Sequence, residues 1–329
     1  MAASSLQVTQ AMNTRPFGKL GEVSALTLGG GGLGQLWGPT TREECVATAR
    51  DAVGSGITLL DLAPSYGDGE AERVIGEAFD GSLPAGVRVT TKCRVGNTPA
   101  GEVGPLLEAS LTHSLERMRL ERVDIFFLHN QVVATEAEGD ERRSPRSLVE
   151  GAIAPAFERL VASGRIGAWG LTGIGVPTVL IDMLDSNIRP DFIQVMANLL
   201  DSPGGLKTYD EPAVPREIMA AAGRAGVPIM GIRAVQAGAL TSALDRPKAD
   251  DHPETLDYHR SAPFRAIAAE LGQTPAFLAH QYALSMEGPS TVVLGVKNRD
   301  ELRECIAAEE AGPMDPALIE RIDKAVGRV

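Results

Sequence analysis

The feature that most constrains this chain is an alternation. Short apolar runs recur along it, separated by longer amphipathic segments. The runs are Ala25–Gly29, Ile57–Asp61, Val87–Lys92, Val123–His129, Ile166–Leu171, Phe192–Met196, Pro228–Arg233 and Thr291–Leu294. Each is near the length of one strand and is bounded by turn residues or by a helical pattern. Between them, helical patterns fall at Ala71–Phe79, Pro105–Arg119, Leu148–Ala162, Pro177–Leu184, Arg216–Arg224, Pro275–Ser285 and Arg299–Glu309. Thr41 and Glu44 form a capping-box pattern that opens another helix. Glycines in SGR (163–165) and AGV (225–227) stop helices just before the next strand.

Eight alternating β and α units in 329 residues predict one closed (β/α)8 TIM barrel, a single-domain α/β fold. An open doubly wound sheet needs a switch point and usually a second domain. No composition shift or linker marks one. Residues 1–14 read as a flexible tail and 15–329 as the barrel, with an N-terminal β-hairpin at 15–24. Two long polar loops follow the fourth and seventh strands, at 131–147 and 241–262. Both belong on the C-terminal rim, where barrel active sites form. The second is read as a cover for a bound molecule.

Composition narrows the function classes. With 43% hydrophobic and 22% charged residues the chain has ample material for a core, so disorder is not expected. A net charge of −12 argues against nucleic-acid binding. No stretch of about 18 apolar residues predicts a membrane span. The N-terminus lacks the pattern of a secretory signal. Cys45, Cys93 and Cys305 show no paired or zinc-binding spacing. They read as reduced thiols in a cytoplasmic protein, and no metal site is predicted.

Three polar residues end three successive strands: Asp61 closes ITLLD, Lys92 closes VRVTTK and His129 closes VDIFFLH. An ionisable group at the inner end of an apolar strand is costly unless it is paired or used. One such residue reads as a structural ion pair. Three on neighbouring strands converge on one small rim area. Tyr66 lies five residues past Asp61, in a turn-rich segment that folds back toward the same spot. Together they make a proton-transfer device. A tyrosine is a weak acid with a pKa of about 10. A nearby ammonium lowers that pKa. Asp61 would hold Lys92, Tyr66 would protonate a carbonyl oxygen as hydride reaches carbon, and His129 would orient the substrate.

At these residues the chain resembles the aldo-keto reductase family. The likeness runs through GITLLDLAPSYGDGEAERVIG (56–76), TK (91–92), SLERMRLERVDIFFLHN (114–130), SGRIGAWGLTG (163–173), GVPIMGIRAVQAGAL (226–240) and TVVLGVKNRDEL (291–302). It spans nearly the whole chain. The resemblance implies a barrel without a Rossmann domain and a catalytic tetrad on Asp61, Tyr66, Lys92 and His129. It implies NADPH as cofactor, with NADH the lesser alternative.

The cofactor contacts that the resemblance implies carry over in part. Thr172 stands for a serine beside the nicotinamide amide, and Gln194 for the family's glutamine. Gly173 stands where an asparagine is usual. Ile232 and Arg233 replace a Tyr–Ser pair; Ile232 would pack on the ring and Arg233 reach the phosphates. Gly238 and Leu240 follow on the same segment. After the eighth strand, Gly295, Lys297, Glu301 and Arg303 would grip the adenosine end, with Lys297 on a 2′-phosphate. Glu301 replaces a glutamine or arginine and Cys305 an asparagine.

Other signals are set aside. GGGGLG at 29–34 satisfies a dinucleotide pattern, but QLWGPT separates it from the helix. It reads as a flexible loop that presents Trp37 to the substrate. Cys93 reads as a buried small hydrophobe, and His113, His252, His259 and His280 as ordinary residues. The expected partner is a small carbonyl or alcohol, acted on by a monomer or weak homo-oligomer. The alternative is an NADPH-binding regulatory subunit similar to the cytoplasmic β-subunits of potassium channels.

Overall fold

The computed structural model describes residues 12–135, 140–244, 246 and 248–328. Eight parallel strands close into a barrel: β1 (Leu26–Gly29), β2 (Leu59–Asp61), β3 (Arg88–Cys93), β4 (Val123–Leu128), β5 (Ile166–Thr172), β6 (Phe192–Met196), β7 (Ile229–Ile232) and β8 (Pro289–Leu294). Their order around the barrel is their order in the chain, with β8 pairing back to β1. The outer helices are α1 (Arg42–Gly54), α2 (Glu70–Phe79), α3 (Ala100–Met118), α4 (Ala154–Ala162), α5 (Pro177–Leu184), α6 (Pro215–Ala225), α7 (Pro275–Ser285) and α8 (Arg299–Glu310). All eight expected strands are present.

Strand alternation divides the apolar residues into two layers. Leu60, Phe126, Leu128, Trp169 and Ile193 face outward into the large core beneath the helices. Leu59, Ile125, Phe127, Ala168, Phe192 and Met230 face the barrel axis. The expected hairpin forms from Thr14–Pro16 and Glu22–Ser24, paired antiparallel. It delivers Phe17 and Val23 to the axial cluster. The Phe17 and Phe192 rings lie 4.7 Å apart. Above this apolar plug the axis turns polar. Thr27 and Thr291 share a buried hydrogen bond of 2.7 Å, and Asp61, Lys92 and Gln194 are buried in the barrel. The barrel is therefore apolar at one end and loaded with paired polar groups at the other.

Several expectations change. The segment at 29–34 is not a flexible loop: Gly30–Leu33 is one buried helical turn. A Cβ at Gly29 or Gly32 would overlap the carbonyl oxygens of Leu294 or Val296, so these glycines let β1 and its following turn press on β8. The helix expected from Pro105 starts at Ala100 and contains the proline. The helix expected at Leu148–Ala162 is continued backward to Arg146 and passes through a π-turn at Val149–Ile153. Pro155, which has no N–H to give, follows directly in α4.

The 131–147 excursion carries a two-stranded sheet, Gln131–Val133 beside Arg143–Pro145. The 241–262 excursion ends in a helix, Pro253–Arg260, whose N-cap is His252. Helices Ala262–Glu270 and Pro316–Ala325 were not anticipated. The expected tail lies mostly outside the described residues, as do 136–139 and residues 245 and 247 of the two excursions. Among the described residues, no helix is long and apolar enough to cross a membrane.

Replacing Phe17 with Ala removes the hairpin's main anchor in the axial cluster. Loss of a buried phenylalanine costs about 3–5 kcal/mol. The urea midpoint of Phe17→Ala should fall accordingly. An unchanged midpoint would mean that the hairpin is not part of the cooperative unit.

Candidate active site

The site begins with one ion pair. Lys92, wholly buried on β3, donates to Asp61 Oδ2 at 2.8 Å, to the Leu62 carbonyl at 2.9 Å and to the Tyr66 hydroxyl at 3.1 Å. Those contacts use all three ammonium protons. The other Asp61 oxygen accepts from Thr90 Oγ1 at 2.7 Å and from Gln194 Nε2 at 2.8 Å. Burial works most strongly against the Lys92 ammonium, but Asp61 and Tyr66 together outweigh it and its pKa ends raised.

Tyr66 is placed by the turn after β2. Its N–H donates to the Ala63 carbonyl at 3.1 Å, and Gly69 N–H closes onto Pro64 at 2.7 Å. Gly67 and Gly69 both have positive φ. A Cβ on Gly69 would also strike the Arg117 side chain. Arg117 is held by the buried carboxylate of Glu72 at 2.6 Å, and Glu72 accepts from Thr91 Oγ1 at 2.5 Å. This second ion pair ties α2, α3 and β3 together beneath the turn. Burial pushes the Tyr66 phenol above its ordinary value, and the Lys92 ammonium opposes this without overcoming it. The expected net lowering is therefore corrected: the phenol keeps its proton at neutral pH. Lys92 lies where it would stabilise a phenolate when the proton leaves.

His129 stands just past β4, its N–H bonded to the Cys93 carbonyl at 2.7 Å. Its ring meets the Tyr66 ring edge-on at 5.9 Å, and Nδ1 lies 3.5 Å from Ser65 Oγ. Burial, then Lys92, then Arg94 hold its pKa well below the ordinary value. The imidazole is therefore neutral and retains one N–H donor. The four residues expected to act together do converge.

A cavity of about 570 Å³ opens over them. Asp61, Tyr66 and His129 line it, while Lys92 sits behind them. Of the residues the resemblance assigned to the cofactor, Thr172, Gln194, Ile232, Arg233, Gly238, Gly295, Lys297 and Glu301 line the same cavity. Leu240 is buried away from it. Arg303 is exposed on α8, paired with Asp300. Arg233 lines the wall, but its charge is taken by Glu254 at 3.0 Å and its Nε by Gln236 at 2.8 Å. Lys297 pairs with Glu301. Gly173 leaves no room for a side chain: a Cβ there would crowd the Gln194 carbonyl and Ile193.

Trp37 lines the cavity, packed beside Gly31 and Gly295 on the β8 side, with the Arg246 guanidinium 4.5 Å above its ring. Among the described residues its buried Nε1 has no hydrogen-bond partner. The 241–262 excursion borders the cavity through Thr241, Ser242, Ala243 and Arg246, whereas no described residue of 131–147 does. The sequence reading missed Arg94, Leu206 and His280 on the wall. His280 is buried, with Nε2 at 3.6 Å from Cys305 Sγ. Position alone put it on the cavity, since a lone helical histidine carries no signal. Arg94 was legible only as the second residue past Lys92. Burial pushes the Cys93 thiol up to about 11, consistent with an inert packed side chain. Among the described residues, no three His, Cys, Asp or Glu side chains are grouped to hold a metal ion.

Comparison with known proteins agrees with this geometry. Residues 25–326 match the model of the Aldo/keto reductase family. The chain is 26% identical over 309 residues to L-galactose dehydrogenase of Arabidopsis thaliana, covering 89% of this chain and 87% of that protein. It is 24% identical to pyridoxal 4-dehydrogenase of Microbacterium luteolum, covering 90% and 92%. The fold is that of an aldo-keto reductase from Klebsiella pneumoniae solved in complex with NADPH, with a TM-score of 0.67, 20% identity and coverage of 96% and 95%.

The lowered pKa of His129 links stability to pH. The folded state keeps the imidazole neutral, whereas the unfolded chain takes up a proton near pH 6.5. The unfolded state thus binds more protons, and this contribution is present above that pH and lost as pH falls. His129→Asn should flatten the decline in melting temperature between about pH 6.5 and pH 5, by at most about 1.4 kcal/mol per pH unit. His280, also lowered by burial, leaves a residual slope. An identical decline in the variant would show that His129 titrates normally.

Proposed function

The chain belongs to the aldo/keto reductase family, and from that premise we propose that it interconverts a carbonyl and an alcohol with NADPH, Tyr66 being the proton donor and acceptor. The observation that carries this reading is the Lys92 ammonium bonded at once to Asp61 and to the Tyr66 hydroxyl. The curated relatives are oxidoreductases, and one is named for a sugar.

The residues present fit a nicotinamide dinucleotide. Trp37 Nε1 is a buried donor that no acceptor among the described residues meets. Gly31 and Gly295 let the Trp37 ring lie against the backbone at the cavity wall, since a side chain at Gly31 would overlap it. The Thr172 hydroxyl donates to the Leu128 carbonyl at 3.1 Å and keeps its lone pairs for an amide N–H. Gln194 has spent Nε2 on Asp61, so its Oε1 remains for the same amide. Lys297 would hold the 2′-phosphate. When bound, the cofactor supplies or accepts hydride.

The rest is work for the side chains. In reduction Tyr66 gives its proton to the carbonyl oxygen. The Lys92 ammonium stabilises the phenolate left behind, at no reorientation cost because Asp61 and the Leu62 carbonyl already hold it. Neutral His129 donates to the same oxygen and aims the carbonyl at Tyr66. In oxidation the phenolate takes the proton back.

The deciding experiment follows reduced-nicotinamide absorbance with a panel of aldehydes, ketones and sugars. Tyr66→Phe should lower kcat by about 10²–10⁴-fold, the usual worth of a positioned proton donor. Its cofactor affinity should stay near that of the wild type. Turnover that survives in Tyr66→Phe would remove the assigned role. No turnover by the wild type, with cofactor bound, would favour a regulatory subunit.

Cofactor choice has its own test. Lys297→Ala should weaken NADPH more than NADH. Glu301→Gln should do the reverse, because it removes the carboxylate that pairs with Lys297 and a negative charge near a phosphate. A several-fold change in the ratio of dissociation constants, in opposite directions, is expected at low salt. Equal effects on both cofactors would mean that the 2′-phosphate is held elsewhere.

A further inference from the structure

Among the described residues, four cations line the cavity wall: Arg94, Arg233, Arg246 and Lys297. Three have their charge engaged. Arg233 pairs with Glu254 and Lys297 with Glu301, while Arg246 stacks on Trp37 and donates to the Ala237 carbonyl. Arg94 differs. Among the described residues its guanidinium makes no hydrogen bond and no ion pair.

Its position gives that isolation meaning. Arg94 follows the last residue of β3, two past Lys92, and is exposed at the rim. Its charge is felt at both Tyr66 and His129. The acidic groups of the wall do not compensate it. Asp61 is spent on Lys92, Thr90 and Gln194. Glu301 and Glu304 belong to α8, beyond β8. Around Tyr66 and His129 the remaining wall includes Ser65, Ile174 and Leu206, none of them anionic. Among the described residues, the reacting end of the cavity is thus a small chamber with one positive charge at its mouth that no carboxylate pairs.

We propose that Arg94 is a substrate-recognition residue, and that the preferred carbonyl substrates carry a carboxylate which its guanidinium holds while the carbonyl rests against Tyr66 and His129. This rests on the reductase reading above. A guanidinium presents a planar fork of N–H donors that matches the two oxygens of a carboxylate. A neutral hydroxyl would leave the charge uncompensated. The rim position keeps the desolvation cost of the pair low, so the gain is moderate and salt-sensitive.

The test compares para-carboxybenzaldehyde with its neutral analogue, methyl para-formylbenzoate, using NADPH and the full chain. In the wild type kcat/KM should favour the charged aldehyde, and rising ionic strength should erode the preference. In Arg94→Gln the charged-to-neutral ratio should fall by about tenfold, mainly through KM, with part retained in Arg94→Lys. A ratio unchanged within about twofold in Arg94→Gln overturns the proposal. If the wild type consumes neither aldehyde, the reductase reading is decided by the wider panel above, and Arg94 is judged by binding alone. Calorimetry with terephthalate and the NADP-loaded protein then decides: about tenfold weaker binding to Arg94→Gln supports the role, and equal binding overturns it.

Discussion

Lys92 has no exposed atoms, and its ammonium is placed by Asp61 from the neighbouring strand, by the Leu62 carbonyl and by Tyr66. A charge in that position is tolerable only because every proton on it has a partner. Removing one partner of such a buried pair costs about 3–5 kcal/mol. The arrangement therefore constrains the strands around it. The registers of β2, β3 and β6 must bring Asp61, Thr90, Lys92 and Gln194 to one level, and the observed pairing does so. The same contacts that make the charge bearable aim it at the phenol. Stability and chemistry are served by one set of hydrogen bonds.

The turn that carries Tyr66 is secured separately. Glu72 is buried without exposure and bonds Arg117 and Thr91, which joins two helices and a strand below the turn. On the far side, Gly34 lies against the Tyr66 and Gly67 backbones too closely for a side chain. The phenol thus sits between two rigid walls. Where the wall is softer, at Arg94 and in the 241–262 excursion, the residues face solvent and the cavity. Rigid chemistry beneath adaptable loops is the ordinary division of labour in a barrel enzyme.

The resemblance to known reductases was most informative where side chains meet in a fixed frame and least where loops decide. Asp61, Tyr66, Lys92 and His129 converge as expected, because strand ends in a closed barrel have nowhere else to point. Arg233 was expected to reach phosphates, but Glu254 from the helix that ends the 241–262 excursion takes its charge. Leu240 and Arg303 lie off the cavity altogether. Trp37 is on the wall, yet its neighbours are Gly31 and Gly295 rather than Tyr66 or His129, which turns it toward the β8 end. None of these placements follows from spacing along the chain.

By itself the amino-acid sequence determined the barrel, the count and order of its strands, and the four residues at its polar end. Those properties follow from local periodicity and from the cost of burying ionisable groups, both of which are written in neighbouring residues. Tertiary structure alone decided which charges remain available. Arg233 looks as cationic as Arg94 in the chain, but its carboxylate partner, Glu254, comes from a helix that packs beside it, and among the described residues Arg94 has none. Electrostatic neutralisation depends on distances of a few ångströms between segments remote in sequence. A linear reading holds no such distances, so the residues that meet at the site were legible before the pairing of their charges.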